Sequence, residues 1–107
     1  MSLLDENTAI LMKFVAEGKD LSYIRVVDFS HLFPDPASAN RFAAEAEAEG
    51  FKIAIDRSHS PEDPWDVTAS KVMFPSAVAI TEAETRLSAL AELHQGYADG
   101  WGVLSVR

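Results

Sequence analysis

The chain has no cysteine, which excludes disulfides, thiolate nucleophiles and cysteine-ligated zinc and fits a reducing compartment. Positive charge is also scarce. Nine Lys and Arg stand against 17 Asp and Glu, leaving a net charge of −8. Affinity for nucleic acid rests largely on Lys and Arg neutralising phosphates, so this balance argues against a direct grip on RNA or DNA. No run approaches the roughly 20 consecutive apolar residues of a membrane span, and acids stand near the N-terminus where a secretory signal carries bases. The expected location is therefore the cytoplasm, with no membrane partner. Glycines are few, and none forms a phosphate loop, a dinucleotide fingerprint or a Gly-x-Ser-x-Gly elbow. The expectation is a protein that is not an enzyme and carries no cofactor and no metal.

What is present is enough for a folded domain. With 107 residues and 48% hydrophobic content, the chain can build one core. Its acids are unevenly spread: residues 35–66 hold eight of them against Arg41, Lys52 and Arg57. Such a surface favours solubility and would also steer a basic protein partner.

Residues 3–17 have apolar side chains at spacings of three, four and seven, the pattern of an amphipathic helix. Ser2 and Asp5 suit its start and Gly18 its end. Its stripe must cover either the rest of the domain or a second copy of the chain, so a homodimer through this helix is one expectation. Residues 1–20 are read as a helical extension and 21–107 as the domain proper. Tyr23–Phe33, rich in β-branched and aromatic residues, reads as an inner strand ended by Pro34 and Pro36. Asp35-Pro36 opens a second helix, with Asp at the N-cap and Pro at N1, running to about Glu49 and stopping at Gly50. Phe51–Arg57 alternates cleanly as a strand. A polar loop, Ser58–Pro64, leads to a returning strand at Trp65–Phe74, whose change of phase at Lys71-Val72 predicts a bulge near Ser70. Thr81-Glu82-Ala83-Glu84 matches a capping box, which predicts a helix from Thr81 to near Gly96. Gly100 and Gly102 predict a sharp corner, with the closing strand starting at Trp101.

An extra helix followed by strand, helix, strand, strand, helix, strand predicts an α+β, ferredoxin-like βαββαβ sandwich. Its four-stranded antiparallel sheet has spatial order 4-1-3-2. The three histidines, His31, His59 and His94, share no i,i+3 or i,i+4 spacing, so no metal site is expected. A pocket between sheet and helices near His31, Asp28 and Asp99 is the one arrangement that would support a small-molecule or enzymatic reading. Trp101 has two readings: a large side chain filling the core, or a binding anchor at a strand entrance.

The run Tyr97-Ala98-Asp99-Gly100-Trp101-Gly102 closely resembles the signature near the end of the regulator of ribonuclease E activity B family, RraB, and the order of elements is compatible with it from about Leu21 to Leu104. The resemblance implies a ferredoxin-like regulator that binds ribonuclease E and inhibits its endonuclease activity by contact. Members that act on that enzyme carry a long acidic C-terminal tail, whereas this sequence ends at Arg107. The family offers no catalytic residues to carry over. Tyr97, Gly100 and Gly102 are expected to be structural. Trp101 and Asp99, with Glu45, Glu49, Asp56, Glu62 and Asp63 supplying charge, are the expected partner-binding residues.

Overall fold

A computed structural model describes residues 2–104. Seven elements follow in order: α1 (Leu3–Ala16), β1 (Arg25–Phe33), α2 (Pro36–Ala48), β2 (Lys52–Arg57), β3 (Trp65–Met73), α3 (Ala77–Leu93) and β4 (Tyr97–Leu104). The strands form one antiparallel sheet in the order β2-β3-β1-β4, which read from the other edge is the expected 4-1-3-2. Helices α2 and α3 pack on one face and α1 lies against α3.

Alternation decides which side chains enter the core. Val27, Phe29, His31 and Phe33 of β1, with Val67 and Ala69 of β3, point towards the helices and are buried. They meet Ala39, Phe42, Ala43 and Ala46 of α2 and Ile80, Leu87, Leu90 and Ala91 of α3. The small residues on α2 bring that helix close to the sheet, so the Phe42 ring lies 5.0 Å from Phe33 and 4.7 Å from the His31 imidazole. Fully burying a side chain of this kind is worth about 1.5–3 kcal/mol each, far more than any surface ion pair here.

Caps are explicit in the sequence. Asp35 accepts from the Ser38 amide at 2.8 Å, and that N–H holds its carboxyl below the usual aspartate range. Ser2 and Asp5 form a reciprocal capping box on α1. All three helices end in the same double turn, in which the second residue past the cap bonds back five residues: Lys19 to Phe14, Phe51 to Ala46 and Gly96 to Ala91. The left-handed residue is Gly18 in α1 and Gly50 in α2, but Gln95 in α3. Gly96 is needed for a different reason. A Cβ there would lie 2.2 Å from the Phe33 ring.

Three expectations are corrected. Helix α3 begins at Ala77, with the Ser76 hydroxyl accepting from the Ala79 amide, so Thr81 and Glu84 lie inside the helix instead of capping it. β3 has no bulge: its pairing with β1 runs unbroken from Trp65 to Met73. Lys71 simply keeps its place on the helix side and lays its ammonium 4.9 Å from the centre of the Phe51 ring at the sheet's rim. The bulge occurs instead between β1 and β4, at Ser30/His31, where Asp99 is the unpaired residue between Ala98 and Gly100. The glycines therefore form no corner. β4 already starts at Tyr97, and only Gly100, with φ +120°, has the backbone of a bulge glycine.

His31 is 1% exposed, and its Nδ1 has no hydrogen-bond partner among the described residues. Desolvation lowers its pKa below 6.5, with the Val67 and Phe29 backbones opposing. The unfolded chain thus takes up a proton as pH falls through about 6.5 that the folded chain resists, and stability is lost in that direction. His31→Phe is expected to flatten the loss of stability between about pH 7 and 5.5, above the range of the carboxylates, as read by urea unfolding at each pH. Gly96→Ala is expected to cost about 1–3 kcal/mol in the same assay by overpacking against Phe33.

Candidate functional site

The junction of α1, α3 and β4 is built on one buried amide. Asn7 stands on the inner face of α1 and is 1% exposed. Its Nδ2 donates to Thr81 Oγ1 and to Glu84 Oε1, both at 3.0 Å, and its Oδ1 accepts from the Trp101 indole N–H at 3.0 Å. The Thr-x-x-Glu pair that resembles a capping box is thus spent on gripping α1. Trp101 is half-buried, and the Phe14 ring meets it edge-on at 5.8 Å, with Lys19 lying 4.3 Å over the Phe14 centroid. Such an aromatic pair adds about 0.5–1.5 kcal/mol beyond its buried area.

The expected charge-bearing residues do not form one cluster. Glu45 faces His94 Nε2 at 3.0 Å, and Glu49 accepts two Arg86 nitrogens at 2.7 and 3.0 Å, so both acids join α2 to α3. Arg86 holds the Glu49 carboxyl below its usual range. Because Arg86, Glu45 and Glu49 are substantially exposed, the pairs set orientation more than they add stability. Asp63 accepts from the Tyr97 hydroxyl at 3.0 Å, which raises the Tyr97 pKa. Asp56 lies on the outer strand directly opposite Asp66. Glu62 and Asp99 are exposed, in the β2–β3 loop and at the bulge. Gly100 and Gly102 leave open space where side chains would stand.

The residues of the expected pocket near His31, Asp28 and Asp99 are not brought together. His31 points into the helix layer, whereas Asp28, three residues earlier on the same strand, points to the open face, where it accepts from Ser70 Oγ at 2.5 Å. Asp66 accepts from Ser30 on that face in the same way, at 2.7 Å. Among the described residues, no group of His, Asp and Glu is arranged to hold a metal ion, and no helix is long and apolar enough to cross a membrane. Asn7 is the residue that reading the sequence missed. An asparagine flanked by Leu3, Leu4, Ile10 and Leu11, on the inner face of an apolar stripe, was the available signal.

A family model described as regulator of ribonuclease activity B matches residues 4–103, from α1 into β4. The chain belongs to the RraB family. The match contains every residue of the Asn7 junction, so α1 lies within the family's span. No curated protein matches the chain. Membership places it among regulators of ribonuclease activity.

Replacing Asn7 by Leu keeps the volume but leaves the Trp101 N–H without its partner. Asn7→Leu is expected to cost about 2–3 kcal/mol in urea unfolding. The double-mutant cycle with Trp101→Phe is expected to return a coupling of about 1 kcal/mol.

Proposed function

We propose that the chain regulates a ribonuclease of the ribonuclease E type by direct protein contact, without catalysis of its own. It binds a basic segment of the enzyme through an acidic surface and lowers cleavage. The observation that carries this reading is the family match over residues 4–103. The net charge of −8 supports the choice of a basic partner over RNA itself.

The acids proposed to serve differ in how far they are already engaged. Glu45 and Glu49 are engaged by His94 and Arg86 and contribute only part of their charge to a partner. Asp56, Glu62 and Asp99 are exposed, and Asp63 accepts from the Tyr97 hydroxyl. Trp101 acts by shaping the junction of α1 with β4, with its indole edge half-exposed, and Tyr97, Gly100 and Gly102 set the course of β4. Contact of this kind is the work of a cytoplasmic protein that carries no cofactor.

The test is an endonuclease assay in which the purified chain is titrated into ribonuclease E on an oligonucleotide substrate. Cleavage is expected to slow with added chain, and the effect to weaken as salt rises from about 50 to 500 mM. Unchanged cleavage together with no complex at low salt would contradict the proposal. Inhibition that ignores salt would contradict its electrostatic part.

A further inference from the structure

The sheet has two edges, and they are finished differently. β2 is guarded by charged ends, Lys52 and Arg57, of the sort that discourages another strand from pairing. β4 has no proline and no base, two of its eight residues are glycine, and among the described residues none of its backbone groups bonds to anything but β1. A row of backbone donors and acceptors is left open along it. The bulge at Asp99 interrupts the regular ladder, so the uninterrupted stretch is Gly100–Leu104.

Beside this edge runs a groove in two connected parts. One, of 510 Å³, lies between α1 and β4, floored by Leu3, Ile10 and Trp101. The other, of 460 Å³, lies between α3 and β4, over Ala89 and Ala98. Leu3 and Glu84 belong to both. Among the described residues, the charged side chains lining the combined groove are Glu6, Glu84 and Glu92, with no Lys, Arg or His beside them. Glu6 and Glu92 are exposed and have no hydrogen-bonded partner among the described residues.

We propose that β4 is a docking edge for an extended, basic segment of a partner protein, which adds as a fifth strand along Gly100–Leu104. Main-chain hydrogen bonds supply affinity, and alternate Arg or Lys side chains lay their apolar stems over Leu3, Ile10 and Trp101 to reach Glu6, Glu84 and Glu92. This rests on the reading that the chain works by protein contact, and it names the edge and the peptide chemistry that the contact uses. The occupant is basic because the groove's charges are all acidic, and extended because the open groups belong to a strand.

The probe is an octapeptide alternating arginine and valine, titrated into the full chain at low salt and followed by calorimetry and amide exchange. Saturable binding is expected, with alternate amides of Gly100–Leu104 becoming protected. The same peptide N-methylated at every residue should not bind. Glu6→Lys together with Glu92→Lys should weaken binding by at least about tenfold, while Glu47→Lys on the exposed side of α2 should change it little. Equal affinity for the N-methylated peptide, or protection confined to β2, would overturn the proposal. So would protection of β4 without peptide as the mass doubles with concentration, which would give the edge to a second copy. Undiminished inhibition of ribonuclease E by the double charge-reversal variant would reject this edge and leave the regulator reading standing; loss of inhibition by wild type would reject that reading itself.

Discussion

The arrangement depends on satisfying one buried side-chain amide. Asn7 is placed where an apolar helix would carry a hydrophobic residue, and burial of an amide without partners costs several times what a surface ion pair returns. It therefore holds three groups at once: a hydroxyl and a carboxylate on α3, and the indole of Trp101 on β4. The hydrogen bonds are directional, so they fix the rotation and height of α1 in a way that its aliphatic contacts alone would not. Leu11 and Phe14 then fill the space this register leaves against the core.

That placement shapes the surface on the β4 side. With α1 docked over Trp101, the helices and the sheet edge enclose a groove with an apolar floor and acidic sides, while the backbone edge beside it has no partner strand among the described residues. The opposite edge and the open sheet face are of another character. On that face the carboxylates of Asp28 and Asp66 are occupied by neighbouring serine hydroxyls, and β2 ends in bases. The proposed contact with a basic partner therefore draws on the architecture of one corner more than on the net charge.

Most of the fold was legible because local signals agreed with one another: alternation in β1 and β2, Asp35-Pro36 opening α2, glycines ending α1 and α2, and a six-residue motif pointing to the family. Errors arose where one short pattern had two physical uses. Thr81 and Glu84 have the spacing of a cap, yet the same spacing puts both on one helix face, where they serve Asn7, 74 and 77 residues away in sequence. Glycines that suit a corner also suit a bulge, and only pairing with β1 distinguishes the two. Lys71 breaks the alternation without breaking the register, because a long side chain can leave the core at its rim. The partners of Glu45 and Glu49 lie 49 and 37 residues away, so their engagement could not be read from local sequence.

The proposed regulation of a ribonuclease rests on contact at the surface where β4 meets α1 and α3. Nitrogen–proton correlation spectra of the labelled chain, recorded as ribonuclease E is added at low salt, test it most directly. The account predicts that perturbed signals concentrate on β4, the Trp101 indole and the groove-facing sides of α1 and α3, and recover when salt is raised. Spectra that stay unchanged with the enzyme in excess would contradict it.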